Sequence, residues 1–135
     1  GLGARAPGRA MERDAVRVAG LGFRSTATLS SLCDALARAG GAVDALATAA
    51  QKADAPALRA LAAELGLPLM AVGAEALAAQ NTLTHSATVR ARFATGSVAE
   101  AAALAGAGPG ARLLGPRVQS DDGLATAAIA ERNDG

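Results

Sequence analysis

Hydrophobic positions alternate between short continuous runs and helical stripes along the first part of the chain. Residues 15–23 (AVRVAGLGF) form an apolar run with β-branched side chains, which is typical of a buried strand. After Thr28, a good helix N-cap, Leu29, Leu32 and Leu36 recur at helical spacing. This stripe predicts a helix that ends at the glycines of residues 40–41.

The same alternation continues through two more strands. Residues 43–50 (VDALATAA) and 69–72 (LMAV) predict the second and third strands, and a helix that starts at Asp54 and Pro56 and ends at Gly66 separates them. A short helix is expected over residues 73–79. Strands that alternate with helices through short links favour a parallel sheet with right-handed crossovers.

The C-terminal part changes character after a polar stretch at residues 80–95. Ser97, followed three residues later by Glu100, predicts a capping box that opens an alanine-rich helix to Leu104, which residues 106–110 (GAGPG) end. Residues 112–118 and 124–130 predict strands of a hairpin around the turn-rich 120–123 (SDDG). The expected fold class is α/β: three α/β/α layers with a mostly parallel five-stranded sheet that ends in an antiparallel hairpin.

Composition and charge exclude some classes of function and indicate a single domain. Residues 1–14, with arginines among Gly, Ala and Pro, predict a flexible tail before a single domain at residues 15–132. A net charge of +1, from 13 basic and 12 acidic residues, gives no field for nucleic acid, which is not an expected partner. No run approaches the roughly 18 apolar residues of a membrane span. Cys33 is the single cysteine, which fits a reducing, cytoplasmic environment.

Candidate ligand-binding residues follow the predicted strands, because ligands of parallel α/β sheets bind beyond the C-terminal strand ends. They are Gly20, Gly22, Arg24, Ser25, Thr28, Thr48, Lys52, Gly96 and Ser97. Glycines allow backbone N–H groups to approach a ligand, helix N-termini favour anions, and Arg24 and Lys52 add positive charge. This inventory predicts a ligand that bears carboxylates or phosphates.

Other kinds of site have little support from the sequence. The Gly20-Leu21-Gly22 start of a dinucleotide fingerprint lacks its third glycine, because Ser25 stands there; the alternative is a tight turn with close helix packing. His85 has no neighbours at metal-ligand spacing, so neither a metal nor a cofactor is expected. Cys33 lies on the apolar stripe and is interpreted as a structural thiol. Asp121-Asp122 is interpreted as a turn.

Several segments, in this order and at these gaps, resemble the cobalamin-biosynthesis family shared by CobE and the C-terminal domain of CbiG. The matching segments include residues 20–25 (GLGFRS), 46–48 (LAT), 65–69 (LGLPL) and 96–104 (GSVAEAAAL), within a likeness from about Val16 to Arg132. Arg117 stands where the family often has lysine, and His85 where it commonly has proline.

This resemblance implies a place in corrin-ring construction, with a precorrin or corrinoid intermediate and other enzymes of the pathway as partners. Corrin precursors carry acetate and propionate carboxylates, which match the strand-end inventory. Two hypotheses stay open. The chain binds such an intermediate as an accessory or carrier protein, or it modifies a precorrin as a hydrolase of the CbiG type or an isomerase. In the second case Lys52 and Glu75 are the candidate acid or base, and Arg24 orients a carboxylate.

Overall fold

The computed structural model describes residues 15–80 and 97–133. The described strands are β1 (Ala15–Phe23), β2 (Ala45–Ala49), β3 (Leu69–Val72), β4 (Arg112–Leu113), β5 (Val118–Gln119) and β6 (Ala125–Asn133). The described helices are α1 (Leu29–Ala39), α2 (Pro56–Leu65), α3 (Ala74–Ala78) and α4 (Val98–Ala107), with a 3₁₀ turn at Ala50–Lys52. The predicted tail and the predictions for His85 and Gly96 lie outside the described residues.

The strands form one sheet in the order β3-β2-β1-β6-β4, with β5 also paired to β6. β1, β2 and β3 are parallel neighbours, whereas β6 is antiparallel to β1, β4 and β5. Five of the six described strands therefore point the same way, and β6 runs against them. The α/β class and the mostly parallel sheet are confirmed.

The hairpin is present, but its first strand is interrupted. The predicted strand at residues 112–118 is two short strands, β4 and β5, on either side of a break. Pro116 has no N–H to donate, and the N–H of Arg117 donates to the carboxylate of Glu100 at 2.8 Å instead of to β6. The described sheet consequently has six strands where five were expected.

Helices cover both faces of the sheet. Odd-numbered residues of β1, such as Leu21, face α1 and α2, where leucines including Leu32 and Leu61 form one core cluster. Even-numbered residues of β1, such as Val18, face α4 in a second cluster that consists mostly of alanine. The three layers of the predicted architecture follow from the period-two alternation of a strand buried on both sides.

Helix α4 lies almost in backbone contact with β1. A Cβ atom built on Gly20 would lie 1.9 Å from the carbonyl oxygen of Ala99 and 2.5 Å from the nitrogen of Ala103. One built on Gly106 would lie 3.0 Å from a methyl carbon of Val18. Gly106 is therefore a packing position inside the helix, which continues to Ala107 and ends at Gly108 (φ 97°), beyond the predicted end.

The turn between β5 and β6 is hydrogen-bonded to α1. The carboxylate of Asp122 accepts from the hydroxyls of Ser120 (2.5 Å) and Ser31 (2.6 Å) and from the N–H of Leu124 (3.0 Å). These bonds, first the one from Ser120 and then the one from Ser31, hold the pKa of Asp122 below its ordinary value. The acidic pair Asp121-Asp122 does occupy a turn, as expected.

Candidate anion-binding site at the end of β1

On the side of β2, side chains rather than a continuing strand ladder satisfy the backbone at the C-terminal end of β1, whereas the ladder with β6 continues to Phe23. The parallel register between β1 and β2 ends at the pair Gly20–Ala47. Beyond it, the hydroxyl of Thr48 donates to the carbonyl of Leu21 at 2.8 Å. The ammonium of Lys52 donates to the carbonyl of Phe23 at 3.0 Å. On the other side of β1, the hydroxyl of Thr126 donates to the carbonyl of Gly22 at 3.2 Å.

The ammonium of Lys52 is held in place by two interactions. Besides its hydrogen bond to the carbonyl of Phe23, the Nζ atom lies 5.2 Å from the centroid of the Phe23 ring, which is cation–π geometry. Lys52 follows β2 directly in the 3₁₀ turn, so the short link aims it at the end of the neighbouring strand. Because an ammonium has three donors and Phe23 accepts one hydrogen bond, Lys52 keeps donors for a ligand.

The topology of the sheet changes direction at β1. β2 and β3 lie on one side of it, and β6 and β4 on the other, so the end of β1 is the point beside which α/β folds bind ligands. Helix α4 begins at the same place: a Cβ on Gly22 would lie 3.6 Å from the nitrogen of Ala99, in the first turn of α4. The positive end of that helix dipole therefore borders the end of β1.

Ser97 and Glu100 form the N-terminal turn of α4. Ser97 is the N-cap, and its Oγ accepts the N–H of Glu100 at 3.2 Å, as the sequence predicts for the serine of a capping box. Both side chains are fully buried. The carboxylate of Glu100 also reaches across to Arg117, whose backbone N–H it accepts. No sequence motif indicates this contact, because the two residues are 17 positions apart and Arg117 lies in the break between β4 and β5.

The remaining candidates lie in different surroundings. Gly20 is buried beneath α4, two residues before Gly22, where its lack of a side chain is a packing requirement. Thr28 caps α1: its hydroxyl accepts the N–H of Ser31, and its own N–H donates to the hydroxyl of Ser31. Ser25 is exposed in the turn after β1. Glu75 is exposed in the first turn of α3, and its carboxylate makes no hydrogen bond or ion pair with another described residue.

Four arginines away from the end of β1 have carboxylate partners. The guanidiniums of Arg17 and Arg112 both contact Glu131, at 2.9 and 3.6 Å, near the other end of the sheet. The hydrogen bond from Arg17 is the main reason why the pKa of Glu131 is lowered. On the helices, Arg38 pairs with Asp34 at 3.0 Å, and Arg59 with Asp54 at 3.3 Å.

Cations around the end of β1 differ from these. Arg24, Lys52 and Arg117 form no ion pair with any residue in the described ranges 15–80 and 97–133. Arg24 follows β1 directly and is attached through its backbone N–H, which donates to the carbonyl of Leu124 at 2.9 Å. These three cations therefore differ from Arg17 and Arg112, which share the carboxylate of Glu131 near the other end of the sheet.

Other chemistries receive no support in the part of the chain that the structure describes. Among these residues no cluster of three or more His, Cys, Asp or Glu side chains could hold a metal ion. None of the described helices is both long enough and apolar enough to cross a bilayer. Burial, and then the negative charge of Glu64, raises the pKa of the Cys33 thiol, which agrees with a structural rather than a nucleophilic cysteine.

Fold and site together define a class: a three-layer α/β domain wound in both directions from β1, with a cationic strand end bordered by a helix N-terminus. The chain belongs to the family described as cobalamin synthesis G C-terminus, whose model matches residues 17–130. The resemblance inferred from the sequence is thereby confirmed, and the chain is a protein of cobalamin biosynthesis.

Two solved structures are similar over nearly the whole domain. One is CobE, a protein from the cobalamin (vitamin B12) biosynthetic pathway, with 32% sequence identity and a TM-score of 0.76 over 88% of this chain and 95% of that one. The other is the cobalamin biosynthesis protein chiG from Agrobacterium tumefaciens str. C58, with 38% identity and a TM-score of 0.66 over 89% of this chain and 100% of that one. No curated protein sequence matches significantly.

Proposed function

We propose that this protein binds a carboxylate-rich precorrin or corrinoid intermediate at the C-terminal end of β1, as an accessory or carrier protein of the cobalamin pathway. The observation that carries the proposal is the contrast in ion pairing. Arg24, Lys52 and Arg117 have no carboxylate partner among the described residues, whereas Arg17 and Arg112 share Glu131 at the other end. Cations left without partners beside a helix N-terminus favour an anionic ligand.

Corrin intermediates match this arrangement in two respects. Their peripheral acetate and propionate groups supply several carboxylates, so one ligand can satisfy cations that come from different elements of the fold. The macrocycle itself is apolar, and Phe23, whose ring underlies Lys52, offers one of the few aromatic surfaces in a chain with two Phe and no Trp or Tyr. The ring must otherwise rest on aliphatic side chains and backbone.

A carrier role agrees better than catalysis with the described acid and base candidates. No hydrogen bond or ion pair joins Lys52 and Glu75. The ammonium of Lys52 is held by the carbonyl and ring of Phe23, which suits a fixed positive charge. A general acid or base usually contacts a second titratable side chain, and among the described residues Lys52 contacts the carbonyl and ring of Phe23 instead.

The proposal is tested by titrating the purified protein with hydrogenobyrinic acid and following the corrin absorbance. We expect saturable binding that weakens with added salt, because exposed charges are screened. Arg24→Gln and Lys52→Met should each weaken binding by about 10- to 100-fold, as expected for the loss of one charge-assisted hydrogen bond. The matched control is Arg112→Gln, which removes one positive charge at the other end of the sheet, where Arg112 pairs with Glu131.

Two results would contradict the proposal. One is the absence of a saturable change up to about 1 mM ligand, which corresponds to roughly −4 kcal/mol. The other is equal weakening by Arg112→Gln and Arg24→Gln, which would indicate a general charge effect rather than a site. A corrinoid of the same ring with amides in place of carboxylates should bind at least tenfold more weakly if the carboxylates are what the protein recognises.

A further inference from the structure

Glu100 is an unusual residue in its surroundings. Its side chain is fully buried in the first turn of α4, between alanines of the core that α4 shares with the sheet. A buried carboxylate costs several kcal/mol unless hydrogen bonds compensate for lost water. The described partner is the backbone N–H of Arg117, whose nitrogen lies 2.8 Å from Oε2. Glu100 makes a further interaction besides this one, and one of its contacts holds the backbone at Arg117.

That backbone position lies in the break between β4 and β5. Leu114 still bonds to β6 through its N–H and the carbonyl of Ile129 (2.9 Å), and the ladder resumes at the pair Val118–Ala127. Between them Pro116 has no N–H, and Arg117 turns its own toward α4. Residues 114–117 form the β4–β5 bulge, and without Glu100 nothing in the described hydrogen-bond pattern would keep this bulge against α4.

The bulge is close to the candidate site. Val118 is in register with Ala127, which is in register with Leu21 of β1. Arg117 therefore lies about three residue steps, roughly 10 Å, back from the end of β1 along the strands and two strand spacings, also roughly 10 Å, to its side, or on the order of 14 Å in all. A corrin macrocycle and its carboxylate side chains cover that distance. The guanidinium of Arg117 forms no ion pair with a described residue, so no carboxylate in the described part of the chain neutralises its charge.

We infer that Glu100 is a positioning residue that acts through Arg117: its buried carboxylate holds the β4–β5 bulge so that Arg117 becomes a specificity-determining cation for a ligand carboxylate. This inference rests on the proposed function for the ligand itself. The ordering of the Arg117 backbone by the carboxylate of Glu100, however, does not depend on any ligand.

The test uses a matched pair of substitutions. Glu100→Gln keeps the shape and an oxygen acceptor for the N–H of Arg117, whereas Glu100→Met keeps the shape and removes the acceptor. Both remove the charge, so a difference between them reports the loss of an oxygen acceptor at this position, and amide exchange at Arg117 assigns that loss to the hydrogen bond from its N–H. Arg117→Gln alone and combined with Glu100→Met completes a double-mutant cycle.

Binding of hydrogenobyrinic acid is the first measurement. Glu100→Met should weaken binding about tenfold or more, Glu100→Gln by less than about threefold, and Glu100→Met in the Arg117→Gln background by less than about twofold, because its target is already gone. Additive losses would overturn the inference, since they would mean that Glu100 acts without Arg117. A merely destabilising effect of Glu100→Met would persist in both backgrounds and would also overturn it.

Hydrogen exchange of the Arg117 amide, followed by NMR without ligand, is the second measurement. Exchange should be at least tenfold faster in Glu100→Met than in Glu100→Gln, with α4 amides unchanged. Equal exchange in the two variants would overturn the inference, whatever the binding data show. If the wild-type protein binds no hydrogenobyrinic acid but the exchange difference appears, the proposed function fails and the ordering of Arg117 by Glu100 stands.

Discussion

The two faces of the sheet are packed by different means. On the face of α1 and α2, branched side chains such as Leu36 and Leu58 interdigitate with Leu46 of the sheet, so helices and strands are held apart by full-sized side chains. On the face of α4, alanines pack on alanine and glycine, and the helix backbone approaches that of β1 at Gly20. One face is filled by large side chains, and the other is closed by removing them.

This difference determines how each face responds to mutation. A leucine core loses stability when a side chain is shortened, because a cavity remains. A backbone-contact face loses stability when a side chain is lengthened, because atoms already in contact have nowhere to move. It also matters for the site, since the close approach at Gly20 and Gly22 brings the first turn of α4 against the end of β1.

The largest effect should come from Gly20→Ala. The added Cβ would lie 1.9 Å from the carbonyl oxygen of Ala99, a backbone atom that no rotamer change can move. We expect a loss of about 4 kcal/mol or more in the free energy of unfolding, measured by urea denaturation. The matched control is Gly22→Ala, on the same face of β1, where the nearest atom is the side-chain hydroxyl of Thr126 at 3.0 Å, which can rotate away. Similar losses for both glycines would contradict backbone contact as the cause.

A smaller effect should follow truncation on the leucine face. Leu61 is 1% exposed in α2, and Leu61→Ala should cost about 3 kcal/mol through lost burial and the cavity left behind. Leu61→Met, which keeps the volume, should cost less than about 1.5 kcal/mol. If the two substitutions cost the same in chemical denaturation, side-chain volume would not be what holds this face together.

Much of this contrast was accessible from the sequence. The leucine stripes predict α1 and α2, and short continuous apolar runs predict β1 and β3 with the observed bounds. The sequence predicts a tight turn with close helix packing as one alternative for Gly20 and Gly22, whereas Gly20 lies inside a strand. Local patterns report which side chain is missing, and not which distant backbone fills its place.

The candidate site was accessible in part for the same reason. Arg24, Lys52 and Ser97 follow from the rule that ligands bind at strand ends, and that rule depends only on the order of elements. The contact between Lys52 and Phe23 spans 29 residues, and that between Arg117 and Glu100 spans 17. Which residues meet across such separations depends on how the sheet twists and where its strands break. From the sequence, Arg117 is therefore only a departure from the family and not a member of the site.

The smallest effect concerns acid, and it too should distinguish the two faces. Hydrogen bonds from Ser120 and Ser31 lower the pKa of Asp122 in the folded state, so its contribution to stability is complete above the ordinary aspartate value of about 3.9 and is lost as pH falls through the lower folded value. Asp122→Asn should therefore be less stable than wild type at pH 7, and the two urea midpoints should converge below about pH 4.

As the two urea midpoints converge on acidification, α1 should loosen before α4 does, because the carboxylate of Asp122 accepts a hydrogen bond from Ser31 of α1. The lowered pKa of Glu131 acts in the same pH range, but equally in both proteins, and cancels in the comparison. Amide exchange measured helix by helix during acidification checks the order. A pH-independent gap between the midpoints would show that the carboxylate charge of Asp122 does not stabilise the hydrogen-bonded turn between β5 and β6.

The central position of β6 has a consequence for how the protein is made. β6 is the last of the described strands to be synthesised, yet it lies between β1 and β4 and pairs with β1 along nine residues. At ribosomal rates of about 5–20 residues per second, the edge of β1 stays open for roughly 5–20 seconds while the residues between the two strands are translated. An open strand edge is a template for wrong pairing. During synthesis, therefore, β1 has an unpaired edge although it lies in the middle of the finished sheet.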